Sequence, residues 1–307
     1  MLTGNTITVD SIFMSLLSRS GNSRMKFQSG HGGIMTWDYG IFQDTDMNEF
    51  RFYKYTAAGN DFIIADNRDG RLPLFSAKTI QGLCHRQFGI GADGVLLLDS
   101  AKDHDYRMVY FNADGSRGEM CGNGARALCA FAERNGITQK PGGTFIADDG
   151  VHGYKISAGK FWIEILALAT RRDVVVDGQP ATFIDTGVPH VVLPVGDIAT
   201  APVNELGYRL SRVSEQFPQG ANINFIELDD HLSKVRTFER GVDAETLACG
   251  TGATACAIYL TESKGRSWPI DLNFPGGILT IDYSEHRYWL SGPVELVFEG
   301  RFHGNRL

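Results

Sequence analysis

The sequence is poor in the features that mark membrane proteins, nucleic-acid-binding proteins and disulfide-stabilised proteins. It has no apolar run of the length that a transmembrane helix needs. It has no block of lysine and arginine, and its net charge of −7 argues against nucleic acid as a partner. Its 5 cysteines are widely spread, without the spacing of a disulfide framework or of a zinc site. We therefore expect a cytoplasmic protein with neither a membrane nor a nucleic-acid partner.

Two nucleotide-binding signatures are also missing. Glycine-rich segments occur, but the chain has neither a Walker lysine pattern nor a GxGxxG motif placed after a strand. The glycines of one such segment instead follow a cysteine, in "MCGNGARALCAF" (120–131). Residues 125–131 favour a helix, whereas the residues just before them tolerate unusual backbone angles. Cys121 is thus predicted to lie at a helix N-terminus, where the backbone N–H groups favour a thiolate.

The same layout returns later in the chain, in "ACGTGATACAIY" (248–259). Its cysteine, Cys249, lies 128 residues after Cys121. The similarity extends upstream, where "MVYFNADGSRGEMCGNGA" aligns with "VRTFERGVDAETLACGTGA". These segments indicate a two-copy repeat in which each copy carries one thiol.

The hydrophobic pattern predicts an α+β protein of two pseudo-symmetric domains. Strand patterns dominate from residue 49, and helices are predicted over 76–87, from Cys121 to about 135, over 203–212 and after Cys249. We expect each domain to be a curved antiparallel sheet around a central helix, with the active site in the cleft between the domains. The first domain is predicted to span 47–168 and to be completed by a strand in 294–307, and the second domain is predicted to span 169–293. Residues 1–46 have no sustained period, which predicts a disordered or mis-annotated extension with Met47 as the start.

Two thiols that face each other across a cleft suit stereoinversion at a weakly acidic carbon. One side chain, as a thiolate, removes a proton from one face, and the other, as a thiol, delivers a proton to the opposite face. Without a cofactor, the negative charge that develops must be stabilised electrostatically. Two helix N-termini that point at the substrate carboxylate would supply N–H donors for that purpose.

Eight short motifs, in this order along the chain, resemble the diaminopimelate epimerase family. That resemblance covers residue 50 to the C-terminus and implies a two-domain, pyridoxal-phosphate-independent isomerase with no cofactor and no metal. It further implies interconversion of L,L- and meso-diaminopimelate for lysine and peptidoglycan synthesis, in an enzyme that forms a homodimer. The motifs are GNDF (59–62), GIGADG (89–94), FNADGS (111–116), MCGNGAR (120–126), PH (189–190), FERG (238–241), ACGTGA (248–253) and PGG (275–277).

The resemblance also implies roles for individual residues. Cys121 and Cys249 correspond to the acid/base pair, and His190 and Glu239 to groups that orient the cysteines and help to move their protons. Phe62 corresponds to a wall of the pocket. Residues implied to bind the distal end of the substrate are Asn60, Asn112, Asn222 and Arg240. Residues implied to cradle the reacting carboxylate are Gly122, Asn123, Gly250 and Thr251.

Several alternatives stay open from the sequence alone. Val188 stands where the family often has asparagine, and Gly94 stands where many members have glutamine, so a racemase or epimerase of another amino acid is possible. Asn224 is close enough to Asn222 to be the true substrate ligand. A redox protein in which the two thiols form a reversible disulfide, and an inactive amino-acid-binding module, are the candidates from other classes. The remaining cysteines are predicted to pack in the core: Cys84, Cys129 and Cys256.

Overall fold

The computed structural model describes residues 49–72, 75–166, 170–212 and 214–303. The segment 1–46, predicted to be an extension, and Met47 lie outside the described residues. Within those residues no helix is long and apolar enough to cross a membrane. The described helices are α1 (Ala77–Cys84), α2 (Gly122–Arg134), α3 (Val203–Leu210) and α4 (Gly250–Lys264).

The helices begin and end close to where the sequence predicts. Ser76 caps α1 by accepting a 3.1 Å hydrogen bond from the backbone N–H of Thr79. This helix is shorter than the predicted 76–87 because His85 has extended backbone angles. At the end of α2, Gly136 has a positive φ of 66°, a conformation that favours glycine after a helix.

The strands fall into two series that follow one another along the chain. The first series is β1 (Phe50–Ala57), β2 (Asn60–Asp66), β3 (Gly94–Asp99), β4 (Tyr106–Asn112), β5 (Arg117–Gly118), β6 (Gly142–Ala147), β7 (Gly150–Ser157) and β8 (Lys160–Ile165). The second is β9 (Thr170–Val176), β10 (Gln179–Asp185), β11 (Pro189–Val195), β12 (Asn222–Glu227), β13 (Ser233–Glu239), β14 (Ala244–Thr246), β15 (Ile270–Phe274), β16 (Gly277–Ser284) and β17 (Arg287–Ser291), and β18 (Glu295–Phe302) closes the described chain.

Strand pairing follows one pattern twice. In the first half the order is β18-β1-β2-β3-β4-β6-β7-β8, and in the second it is β9-β10-β11-β12-β13-β15-β16-β17. In each half the third and fourth strands of this order pair in parallel, as do the fifth and sixth, and all other neighbours are antiparallel. The halves join through antiparallel pairing of β8 with β17. The predicted α+β class and its internal repeat are confirmed, whereas the residue limits of the two domains stay a prediction.

Each half wraps its sheet around one of the two cysteine helices. Helix α2 packs against β1, β2, β3, β4 and β8, and α4 packs against β10, β11, β12, β15, β16 and β17. Small residues let these helices lie close to the strands, and most of the residues along them are buried. Cys129 and Cys256 are fully buried in the two cores and Cys84 is 5% exposed, as predicted for packing residues. The thiols at the helix starts are consequently held by rigid elements.

Candidate active site

The two motif cysteines occupy the same place on their helices. Cys121 is the N-cap residue of α2 and Cys249 that of α4, with φ/ψ angles of −110°/120° and −122°/116°. The first turns of the two helices meet. A Cβ atom built on Gly122 would lie 4.0 Å from the Cα of Gly250, and one built on Gly250 would lie 3.8 Å from the Cα of Gly122. The structure therefore brings both thiols to one place between the halves.

A buried leucine explains why the residue after each cysteine is glycine. Leu290 lies on β17, next to the strand pair that joins the halves. A Cβ on Gly122 would come within 2.8 Å of its Cδ2 atom, and a Cβ on Gly250 within 2.6 Å. Any side chain at either position would force Leu290 or a helix to move, so the approach of the two N-termini depends on both glycines.

Both thiols have raised pKa values. Burial is the largest cause for each, and the nearby carboxylate of Glu239 raises both further. Backbone N–H groups at the helix N-termini lower the pKa of Cys121 and of Cys249, as the sequence predicts, but they do not outweigh burial. The helix N-termini thus favour the thiolate as predicted, but burial and Glu239 together favour the protonated thiols.

Asn60 links the first thiol to an ion-pair network. Its Oδ1 atom lies 3.9 Å from the Sγ atom of Cys121, and its Nδ2 atom donates a 2.7 Å hydrogen bond to Asp93. Arg86 holds the other oxygen of that carboxylate at 2.7 Å. Because a carboxylate only accepts, Asp93 fixes the orientation of the Asn60 amide and leaves its oxygen facing the thiol.

Glu239 lies beside the second thiol, that of Cys249. Its carboxylate accepts a 2.5 Å hydrogen bond from the Thr246 hydroxyl, and the Cys249 thiol is a further hydrogen-bonding neighbour that lowers its pKa. Burial outweighs these partners and raises the pKa of Glu239 overall. The Thr251 hydroxyl lies 3.5 Å from the sulfur of Cys249. Glu239 and Cys249 are therefore placed to share a proton.

The two halves line the site with different chemistry at matching positions. In the second half, strand register sets His190 beside Asn222 and Asn224 beside Thr237. In the first half, the matching pairs are Phe62 with Gly94 and Leu96 with Tyr110. Glu239 corresponds in the same way to Asn112. Among these matched positions, the ionisable His190 and Glu239 both come from the second half.

His190 is fully buried, and its two ring nitrogens have different surroundings. Its Nδ1 atom lies 3.1 Å from the Nδ2 atom of Asn224, whereas its Nε2 atom has no hydrogen-bond partner among the described residues. Burial and the nearby Arg240 guanidinium lower the pKa of His190 to about 3. The imidazole is consequently neutral near neutral pH.

The residues implied to bind the distal end of the substrate are only partly brought together. Asn222 accepts a 2.9 Å hydrogen bond from the backbone N–H of Arg240, whose guanidinium has no ion-pair partner in the part of the chain that the structure describes. Asn112 donates a 3.1 Å hydrogen bond to Ser116 within its own turn and has no recorded contact with either thiol. Asn224, the alternative to Asn222, bonds to His190.

The side chain of Asn123 binds other protein groups near the helix start. Its Nδ2 atom donates a 3.1 Å hydrogen bond to the carbonyl oxygen of Ala248, and its Oδ1 atom accepts a 2.9 Å hydrogen bond from Arg126. The side chain is thereby committed, and its backbone N–H is what remains for a substrate carboxylate. Arg126 is fully buried, with no carboxylate partner and an unpaired Nε atom in the described chain.

Sequence reasoning missed several residues that shape the site. Arg126 was overlooked, although an arginine inside an alanine-rich helix is unusual enough to be a signal. Asn224 was considered only as a substrate ligand and not as a partner of His190. Tyr110 was also missed. Its ring fills the space beside Gly94 and Gly118, and packs 6.2 Å from the ring of Phe62. A tyrosine ring thus occupies the space into which a side chain at position 94 would project.

Comparison with known proteins adds sequence relatives. The family model described as diaminopimelate epimerase matches residues 52–152 and 182–297. A diaminopimelate epimerase from Flavobacterium psychrophilum is 40% identical over 258 residues, which cover 81% of this chain and 98% of that protein. One from Aquifex aeolicus is 39% identical over 274 residues, with 81% and 96% coverage.

Solved structures share the fold at low sequence identity. A phenazine biosynthesis protein of the PhzF family from Bacillus anthracis aligns with a TM-score of 0.65 and 18% identity, over 83% of this chain and 99% of that one. A hydroxyproline epimerase from Agrobacterium vitis aligns with a TM-score of 0.57 and 12% identity, over 83% and 92%. At these identities the likeness supports the two-domain fold alone.

Proposed function

The chain belongs to the diaminopimelate epimerase family, and on that premise we propose how its residues carry out the reaction. The protein is an isomerase that epimerises diaminopimelate, a step of lysine biosynthesis. The single observation that carries the proposal is the meeting of two cysteine-capped helix N-termini at Gly122 and Gly250. Two acid/base groups on opposite faces of one carbon are what inversion requires.

Inversion moves two protons and leaves no net change in the enzyme's charge. One cysteine, as a thiolate, takes the α-proton, so that the C–H bond breaks and an S–H bond forms. The electron pair of the broken bond stays on the substrate. The opposite thiol then donates its proton to the other face of the same carbon and becomes a thiolate. Cys121 and Cys249 exchange roles when the substrate of opposite configuration binds.

The helix N-termini answer the main energetic difficulty, which is the negative charge that develops on the substrate. We assign the α-carboxylate to the backbone N–H groups of Gly122 and Asn123 on one side and of Gly250 and Thr251 on the other. Preorganised N–H donors stabilise such a charge without reorganising during the reaction. The substrate's own ammonium group favours the thiolate through Coulomb attraction, which counters the burial that raises the thiol pKa values.

Glu239 and the distal ligands complete the proposed site. Glu239 shares the proton of Cys249 and so helps this thiol to change protonation state. Arg240 binds the distal carboxylate, since its guanidinium is half-buried and has no ion-pair partner in the described chain. We keep Asn60, Asn112 and Asn222 as further ligands of the distal groups, with Asn60 held in place by Asp93. The predicted homodimer and the cytoplasmic location also remain proposals.

Deuterium incorporation tests this assignment directly. Reduced protein is incubated with L,L-diaminopimelate in heavy water, beside Cys121→Ser and Cys249→Ser. The parent protein should form the meso isomer with deuterium at the inverted α-carbon, and each variant should lose inversion by about 100-fold or more. Cys129→Ser, a buried cysteine on the same helix as Cys121, is the matched control and should retain turnover.

Other outcomes would redirect the proposal. Inversion of a monocarboxylic amino acid at an equal rate would contradict the role of Arg240 and favour a racemase of other substrates. Retention of full inversion in either active-site cysteine variant would exclude the two-thiol mechanism. No exchange with any amino acid would leave the redox protein or the binding module.

A further inference from the structure

The side chain of Asn224 is hydrogen-bonded through both its nitrogen and its oxygen, around His190. Its Nδ2 atom lies 3.1 Å from the Nδ1 atom of His190 and 3.1 Å from the backbone carbonyl oxygen of Val191. Its Oδ1 atom accepts a 2.9 Å hydrogen bond from the Thr237 hydroxyl. All of these groups are buried, so water does not compete for them.

These partners fix which ring nitrogen of His190 carries the proton. A backbone carbonyl oxygen only accepts, so the amide atom that faces Val191 must be the nitrogen of Asn224. The same NH2 group faces the Nδ1 atom of His190, which must therefore present a lone pair. In a neutral imidazole the proton is then on Nε2, the atom that has no partner among the described residues.

The internal repeat indicates that packing alone does not require this network. Leu96 holds the position in the first half that Asn224 holds in the second, and Phe62 and Tyr110 hold those of His190 and Thr237. Leu96 packs beneath Gly124 of α2, as Asn224 packs beneath Gly252 of α4. A leucine and two aromatic side chains thus fill the same space in the other copy of the fold.

We propose that Asn224 is a positioning residue for His190, which places the ring proton on Nε2 and makes His190 a hydrogen-bond donor into the active site. A ring in this state donates to the substrate carboxylate or to a thiolate, and it does not take a proton from a thiol. This sharpens the role that the family resemblance gives to His190. The catalytic use of the His190 Nε2–H group rests on the proposed function. The tautomer itself does not, because it is a property of the enzyme without substrate.

Long-range 1H–15N correlation spectra of the 15N-labelled enzyme test the tautomer without any substrate. The chain has 8 histidines, and loss of one signal set in His190→Gln assigns the ring. We expect an unprotonated Nδ1 and a protonated Nε2 in the parent protein at neutral pH. In Asn224→Asp the carboxylate should accept from Nδ1 and move the proton there. A parent ring that is protonated on Nδ1 or on both nitrogens would overturn the proposal, as would an unchanged tautomer in Asn224→Asp.

Kinetics of the same proteins test whether the tautomer matters. Asn224→Asp and Asn224→Leu, the second of which copies Leu96, should lower kcat by about 100-fold while KM changes little. Thr237→Val removes one bond to the same buried amide but leaves its nitrogen facing His190. It should keep the parent tautomer and a kcat within about threefold, since an imidazole held in the right tautomer is what the reaction uses.

The epimerase activity and the positioning role of Asn224 can fail independently. A parent protein that does not epimerise diaminopimelate defeats the proposed function, while the spectra still decide the tautomer. Variants at Asn224 that lower the thermal unfolding midpoint yet keep the parent kcat would show a purely structural residue and refute the positioning role. Should Asn224→Asp not fold, Asn224→Leu decides, because it must produce a mixture of ring tautomers if Asn224 sets the parent one.

Discussion

Asn123 donates a 3.1 Å hydrogen bond to the carbonyl oxygen of Ala248, and so ties the start of the first cysteine helix to the residue before the second cysteine. This contact crosses between the two halves of the chain. Arg126 holds the acceptor end of the same amide at 2.9 Å. The separation of the two thiols is therefore set in part by one buried amide and one buried guanidinium, neither of which changes protonation state near neutral pH.

Loss of the Asn123 amide should damage both stability and catalysis. Asn123→Ala leaves the Ala248 carbonyl and the Arg126 guanidinium without their partner, which should lower the free energy of unfolding by about 2 kcal/mol. It should also lower kcat, because the helices lose a link that sets their approach. Urea unfolding and steady-state kinetics measure the two effects. Asn135→Ala, which removes a 2.8 Å amide-to-carbonyl bond at the other end of the helix, is the control, and an equal effect of both variants would contradict the prediction.

Arg126 should make the Cys121 thiol easier to ionise. Its buried positive charge lowers the pKa of Cys121, while the exposed Arg134 lies at the far end of the same helix, 13 residues after Cys121. In a Cys249→Ser background, Arg126→Met should shift the pH at which iodoacetamide labels Cys121 to a higher value. Arg134→Met should leave that pH unchanged. A labelling profile that is the same for both arginine variants would show that the charge of Arg126 does not act on the thiol.

A methyl group between the helix starts should be tolerated only if Leu290 is shortened. Gly250→Ala puts a Cβ atom 2.6 Å from the Cδ2 atom of Leu290, which should lower the free energy of unfolding by about 1–3 kcal/mol and reduce kcat. Leu290→Ala alone should cost about 2–5 kcal/mol through its cavity.

The double variant tests that contact as a thermodynamic cycle. Gly250→Ala with Leu290→Ala should cost less than the sum of the single changes, since the added methyl occupies the space that the leucine leaves. Gly196→Ala, at a position where nothing lies within 4 Å of the added atom, should have little effect. Additive costs in the cycle would mean that the glycine and the leucine do not compete for the same volume.

Replacing Glu239 with glutamine should raise stability at neutral pH and lower activity, and the direction of the stability change follows from the raised pKa of Glu239. Its folded-state pKa is raised, so the folded protein binds this proton more tightly than the unfolded chain does. The stability that this group contributes is therefore full below the unfolded pKa of about 4.3 and is lost as the pH rises through the folded value. Glu239→Gln, which stays neutral, should be more stable than the parent protein at pH 7 and should lose this advantage in acid, while kcat falls.

Glu227 provides the control of opposite sign. Lys234 and the backbone N–H of Ile198 lower its pKa, so Glu227→Gln should reduce stability at pH 7, with the difference disappearing as the pH falls through the lowered value. Thermal unfolding of the three proteins from about pH 3 to about pH 8 measures both differences, because this range lies on both sides of the ordinary glutamate pKa of about 4.3. If Glu239→Gln and Glu227→Gln shift stability in the same direction at pH 7, burial of the Glu239 charge does not determine how this residue contributes to the free energy of unfolding.

Much of the architecture could be predicted because its signals are local. The two cysteine helices, their glycine-rich starts and the strand series follow from residue types within short windows, as at Cys121 and Cys249, where turn-forming residues precede helix-forming ones. The repeat was visible because both copies keep nearly the same spacing from the end of a strand to the thiol, which follows Asn112 by 9 residues and Glu239 by 10. The family motifs then supplied the candidate ligands in their order along the chain.

The electrostatics of the site could not be predicted, because they depend on which groups become buried together. The helix N-terminus alone predicts an acidic Cys121 thiol, but burial and Glu239, which lies 118 residues away in the chain, raise its pKa. Nor does the sequence show that tertiary packing commits the side-chain amide of Asn123 to Ala248 and Arg126, which links the two halves.

The sequence by itself determined that this protein has two copies of one fold, each of which presents a thiol at a helix start, since both facts are written in local patterns and their repetition. Only the tertiary structure decided that the copies differ in chemistry. His190, Asn224 and Glu239 occupy the positions in the second half that Phe62, Leu96 and Asn112 occupy in the first. The physical reason is that strand register aligns residues far apart in the chain, and burial then determines their charge and hydrogen bonding.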